Sequence, residues 1–140
     1  MTQPTDYGVD LATYVTPDGF IDLAPEMTEV TGRDLLIQSL VRRQFTVRGT
    51  CRDSPNDGID LRTMISDGKT PQGIAKIAGT ITAELARDQR VRVKTTDIQV
   101  AFDYATSKLT IVENIDSELG PFSLVLAVGA VSLDVIVRSR

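Results

Sequence analysis

Residues 70–85, TPQGIAKIAGTITAEL, decide the fold of this chain. Thr70 followed by Pro71 is an N-cap with proline at the first helical position, where the missing N–H costs nothing. Ile74, Ile77, Ala78, Ile81 and Leu85 then recur at offsets of three, four, seven and eleven, one continuous apolar face of a helix. Such a face needs a second layer to bury it, and the sequence downstream supplies strands. Val91 and Val93, then Ile98, Val100 and Phe102, alternate with polar residues. Residues 103–107 form a turn into a strand over 109–115. After Gly120-Pro121, the residues Phe122, Leu124, Leu126 and Val128 point one way. Beyond Gly129-Ala130 the apolar set moves to Val131, Leu133, Val135 and Val137, a change of parity that a bulge or a tight turn produces.

Upstream, Thr31 is placed to cap another helix, with Asp34 in the capping-box position and Val30 and Leu35 where a hydrophobic staple closes. Leu36, Ile37, Leu40 and Val41 form its stripe, and Arg42-Arg43 suit its negative C-terminal end. Residues 60–65 form a short helix ended by Asp67-Gly68. Between the two lie turns at Gly49-Thr50, Pro55 and Gly58. Residues 1–28, with Pro4, Pro17-Asp18-Gly19 and Pro25, are turns and extended pieces. The turn 16–20 there makes either a small hairpin or an arm that lies on a neighbour. The fold class is α+β, with N-terminal helices packed on a C-terminal antiparallel β-sheet that leaves an edge strand available. The expected organisation is an extended N-terminal arm over 1–28 and a single α+β domain over 29–140.

Composition excludes several functions. With 140 residues, 41% hydrophobic and 24% charged, the chain suits one ordinary globular domain. A net charge of −4 argues against a nucleic-acid partner. There is no His and a single Cys, Cys51, which removes Ser-His and Cys-His catalysis, the usual zinc and iron ligand sets, and an internal disulfide. The start, MTQPTDYGVD, is polar and acidic, unlike a secretory signal. The uncharged run 119–133 is too short for a membrane helix and reads as strand, so no membrane insertion is expected.

Carboxylates are the only catalytic material. Asp57 and Asp60 flank Gly58-Ile59, Glu84 and Asp88 share a helix face, and Glu113 and Glu118 sit near a strand end. A glycosidase needs two carboxylates across a sugar bond, usually among aromatics, and none of these pairs has aromatic neighbours in sequence. Asp60 reads as a helix cap, and Glu84 and Asp88 as a solvated face. Asp53, Asp57 and Asp60 offer oxygen ligands without the calcium-loop pattern. Gly68-Lys69-Thr70 has no opening glycine to make a phosphate loop. No metal or cofactor is expected. The C-terminal segment supplies more strand than a small core needs, and Val135-Ile136-Val137 is apolar on both faces. It is either an ordinary buried strand or a sheet edge that accepts a strand from another chain.

Gly49-Thr50, Pro55, Gly58 and Asp60-Leu61 stand at the spacing of the Gly-Ser…Pro-x-x-Gly-x-Asp-Leu stretch of one family. On these residues, residues 31–137 resemble the baseplate wedge, or sheath-initiator, proteins of contractile phage tails and related injection machines. The family's Glu-Pro-Arg corner is matched by Asp88-Gln89-Arg90, with glutamine in place of proline. The resemblance implies a non-enzymatic structural protein with no cofactor, located in the virion's tail baseplate after assembly in the host cytoplasm. Its implied partners are the baseplate wedge proteins, the tail sheath subunit and the tail tube. Asp88, Gln89 and Arg90 would be the wedge contact. Val131, Ser132, Leu133, Val135 and Val137 would meet strands of the first sheath ring. Some relatives have been described as lysozymes, so a cell-wall hydrolase is the alternative, with a tail adaptor lacking sheath contact as a third reading.

Overall fold

The computed structural model describes residues 8–139; residues 1–7, which hold Pro4 and part of the expected arm, lie outside that description. In chain order the elements begin with four three-residue strands, β1 (Val9–Leu11), β2 (Thr13–Val15), β3 (Ile21–Leu23) and β4 (Glu29–Thr31). Helix α1 (Gly32–Phe45), a 3-10 helix (Leu61–Lys69) and helix α2 (Pro71–Leu85) follow. The chain then enters a four-stranded sheet of β5 (Asp97–Asp103), β6 (Lys108–Ile115), β7 (Phe122–Val128) and β8 (Leu133–Ser139). The sheet is an antiparallel meander in the order β5-β6-β7-β8, so the α+β architecture is as expected. Among the described residues, no helix is long and apolar enough to cross a membrane.

The helices cover one face of this sheet. Leu36 and Leu40 of α1, Leu61 of the 3-10 helix and Ile77, Ile81 and Leu85 of α2 are fully buried. They meet Leu109, Ile111 and Ile115 of β6 and Phe122, Leu124, Leu126 and Val128 of β7 in one cluster. Each large aliphatic buried here contributes about 1.5–3 kcal/mol of transfer free energy. Along the opposite face, which no described helix covers, Val112, Val125 and the half-exposed Ile136 pair across three strands.

Local signals differ in how far they held. The Thr70 hydroxyl accepts a 3.0 Å hydrogen bond from the Gly73 N–H, with Pro71 at the first position. Thr70→Ala therefore lowers stability by about 1 kcal/mol, read as a shift of the urea midpoint; an unshifted midpoint would show the cap to be idle. Thr31 is the N-cap of α1 but makes no side-chain cap bond, because it is held extended as the last residue of β4, opposite Val9. Asp60 likewise precedes the 3-10 helix without capping it by its side chain: its backbone is left-handed at φ 45°. The helix expected at 60–65 is this longer 3-10 segment. Val91 and Val93 are not strand residues. Val91 makes an isolated bridge to Ser117, and Val93 opens a 3-10 turn, Val93–Thr95. The change of parity at Gly129 is a tight turn, in which the Gly129 N–H donates to Ser132 O at 2.9 Å.

Residues 16–20 close a hairpin of β2 and β3, and β1 pairs with β4. Gln38 of α1 holds this region, accepting from the Thr13 N–H at 2.9 Å and donating to Leu11 O at 2.8 Å. The hairpin tip touches the β7–β8 turn: a Cβ on Gly19 would lie 2.7 Å from Ser132 Cα.

Candidate functional site

The residues between α1 and the 3-10 helix fold into a loop that returns to its own start. Gly49 and Gly58 turn the chain at φ +91° and +102°. The Thr50 hydroxyl and N–H both donate to Val47 O. The Asp60 N–H donates to Thr46 O at 3.1 Å. Gly58 passes so close to Thr46 that a Cβ there would collide with its carbonyl oxygen, so only glycine fits, for space as well as for φ. Pro55 and Cys51 are on the exposed outside of the loop, while Leu61 at its end is fully buried.

Glu84 of α2 ties this loop down. Its carboxylate is 1% exposed, accepts the Gly58 N–H at 2.8 Å, and pairs with Arg43 at 3.3 Å and Arg48 at 3.2 Å. Arg48 also donates to Gly58 O at 3.1 Å. Asp57 bridges Arg43 at 3.1 Å and Arg87 at 3.4 Å, and Arg87 donates to Asn56 O at 2.6 Å. The solvated-face reading of Glu84 and Asp88 is thus overturned: both are buried. A signal for Glu84 lay in the sequence, since it stands three residues after Ile81 and seven after Ile77 on the buried side of α2. Nothing local named its cations, which come from α1 and the loop.

Asp88 and Arg90 pair with each other. Arg90 Nε reaches Asp88 Oδ1 at 2.9 Å, Nη2 reaches Oδ2 at 2.6 Å, and the Arg90 N–H adds a third bond at 3.0 Å. Burial alone would raise the Asp88 carboxyl, but these bonds and the Arg90 charge outweigh it and hold the group below its ordinary value. The guanidinium fork is therefore engaged within the chain and also reaches Ser39 at 3.4 Å, while Gln89 between the two is exposed. Arg90→Glu would leave Asp88 facing a like charge in a buried place, so that variant tests folding together with any contact.

Of the other carboxylates paired in the sequence, Asp57 and Asp60 line different cavities. Asp57 is engaged by arginines. Glu113 is fully buried and pushed up to about 7 by desolvation, partly offset by the 2.9 Å bond from Gln44, while Glu118 is exposed beyond the end of β6. Among the described residues, no group of three or more His, Cys, Asp or Glu could hold a metal ion, so Asp53, Asp57 and Asp60 do not converge. A cleft of about 620 Å³ does bring Asp60 and Asp22 near Phe20 and Phe45. Arg62 stacks there with its guanidinium 4.9 Å from the Phe20 ring and 5.5 Å from that of Phe45.

β8 is an edge of the sheet. Because Gly129 and Ser132 form a hydrogen-bonded pair, the register makes 127/134, 125/136 and 123/138 the bonded pairs across to β7. Leu133, Val135 and Val137 consequently turn their N–H and C=O groups away from β7. No backbone bond joins them to another described element. The expected strand contacts are corrected in detail here. Val131, 73% exposed, and Ser132 belong to the turn rather than the strand, and the Leu133 side chain is in the protein's own core. At Leu133 and Val135 it is backbone that is left unpaired, while Ile136 and Val137 have exposed apolar side chains.

Compared with protein-family models, with curated proteins and with solved structures, the chain matches none.

Proposed function

We propose that this chain is a structural component of a contractile tail's baseplate that anchors to the wedge and nucleates sheath polymerisation by accepting strands from the first sheath ring. The observation that carries the reading is the open edge of β8, where the backbone of Leu133, Val135 and Val137 faces outward in an apolar setting. An extended segment adds to such an edge through main-chain bonds, with alternate side chains giving selectivity. The order of the fold supports it, since the edge belongs to the last strand of the sheet and pairs with no other described strand. The motif residues Gly49, Thr50, Pro55, Gly58, Asp60 and Leu61 supply a rigid loop on the helical side, a second surface suited to the wedge, with Asp88, Gln89 and Arg90 at the end of α2. Tail tube is a further neighbour on this reading.

Val135→Pro tests it. The Val135 N–H faces the free edge, so proline removes a donor of the template without breaking a bond to β7. Particles carrying this variant are expected to incorporate the protein and recover wedge proteins in a tagged pull-down, yet to lack polymerised sheath. Sheath of normal length on such particles would falsify the template role. The cleft holding Asp22, Asp60, Phe20 and Phe45 favours a second reading, a cell-wall hydrolase with an Asp pair. A zymogram separates the two, because only the hydrolase gives clearing that Asp60→Asn abolishes.

A further inference from the structure

The hairpin of β2 and β3 stands beside the β8 edge, and its own free edge faces the same space. Thr16 N–H donates to Phe20 O and Ala24 N–H donates to Ala12 O, so the bonded pairs of that hairpin are 12/24, 14/22 and 16/20. Val15 therefore points its N–H and C=O away from β3, as Thr13 does, whose N–H is taken by Gln38. Two cavities of about 270 and 390 Å³ run between the strands, and both are lined by Val15 and Val135. Ile37 and Val41 of α1 make the floor of the first. One end is shut where Gly19 meets Ser132. Tyr14 and Val137, both exposed, line the first cavity as well. The space is a gap in what would otherwise be a wider sheet, with unpaired backbone on both walls.

We infer that this gap is a two-sided receptor for one short extended segment of a partner chain, bonded to β8 on one side and to β2 on the other, and that the segment carries a basic residue. Backbone donors and acceptors on both walls select a strand, because a helix uses its own N–H and C=O groups internally and can satisfy neither wall. The apolar floor and the Val15 and Val135 side chains select alternating apolar residues. The charge requirement comes from Asp34 and Asp134, exposed residues lining one cavity each, which form no ion pair with any described residue. A cation across from them is attracted, and a third acid there is repelled. The inference rests on the proposed role of β8 as a strand acceptor and adds the second wall, the closed end and the charge of the guest. The N-terminal hairpin is on this account part of the binding site.

Amide hydrogen exchange tests it in the full chain, using a synthetic peptide of about seven alternating valines and threonines with a lysine at each end. In the free protein the amides of Val15, Val135 and Val137 should exchange rapidly. Saturating peptide should slow all three at least tenfold. A peptide with glutamates in place of the lysines should bind at least tenfold more weakly. Val15→Pro should weaken the lysine peptide while leaving the β2–β3 pairing intact, and the wild-type exchange pattern stands as evidence even if that variant misfolds. Protection at Val135 and Val137 alone, with Val15 unchanged, overturns the two-sided receptor and leaves β8 as a simple edge acceptor. Protection at neither wall, with no binding, overturns both. A free protein that dimerises and protects these amides without peptide assigns the gap to a second copy and overturns the partner strand.

Discussion

Glu84→Ala is expected to lower folding stability by about 3–5 kcal/mol, the loss typical of removing one partner from a buried ion pair. The Gly58 N–H, buried under the loop, would lose its 2.8 Å acceptor, and Arg43, with a side chain 17% exposed, would lose one of its two carboxylates. Arg43 Nε is already buried without a partner, so little remains to compensate. Arg48 contributes less: its side chain is 57% exposed, and water replaces the missing oxygen. Arg48→Ala is therefore expected to cost no more than about 1 kcal/mol. Urea unfolding of the two variants checks the contrast. Equal midpoints for Glu84→Ala and Arg48→Ala would mean that the hub is a surface cluster with no special hold on the loop. Glu84→Gln, which keeps the acceptor for Gly58, should recover part of the loss.

Glu113→Gln is expected to stabilise the protein by about 3 kcal/mol at a pH of about 8. Glu113 points from β6 into the core among aliphatic side chains and, among the described residues, its carboxylate bonds to Gln44 Nε2 alone, at 2.9 Å. Its Oε2 and the Gln44 Oε1 are both buried acceptors without a donor. A proton on the carboxyl supplies a donor at that place, and burial favours the neutral form, raising the group from 4.5 to about 7. The sign follows from proton uptake. Between pH 4.5 and about 7 the folded protein binds the proton that the unfolded chain has lost, so stability falls as pH rises through this window. Above it the full penalty remains, and below it there is none. A glutamine amide keeps the shape, can donate as well as accept, and never ionises. The variant should lack the decline that the wild type shows across that window. Parallel pH profiles for the two proteins would refute the account. Asp88 acts in the opposite sense. Its lowered carboxyl contributes stability above its ordinary value of 3.8, lost as pH falls through the folded value, so the two groups act in separate windows.

Periodicity alone determined the elements whose signal is carried by burial. The stripes of α1 and α2, the turn before β6, the shift of parity at Gly129 and the order of helices before strands were legible because each depends on residues a few positions apart. The glycines at 49 and 58 were legible as turns for the same reason. With no His and one Cys, the sequence also left no Ser-His or Cys-His arrangement to look for.

What tertiary structure alone decided is who meets whom across the chain. Glu84 and Asp88 read as surface acids because a carboxylate pattern carries no record of the cations that will enclose it; Arg43 and Arg48 come from as far as 41 residues away. Glu113 alternates correctly with Ile111 and Ile115, and only the packing of α1 against β6 shows that it is trapped with Gln44. The strand expected at Val91 and Val93 gave way to a bridge and a 3-10 turn, since local alternation there competes with the backbone bonds from Arg92 to Asp116 and from Glu118 to Arg90. Composition marked the last strand as apolar on both faces. Which of its backbone groups are left unpaired depended on hydrogen-bond register, and the hairpin beside it comes from more than a hundred residues earlier. Register and long-range juxtaposition are properties of the folded chain, because they are set by the packing of whole elements and not by the spacing of residues within one.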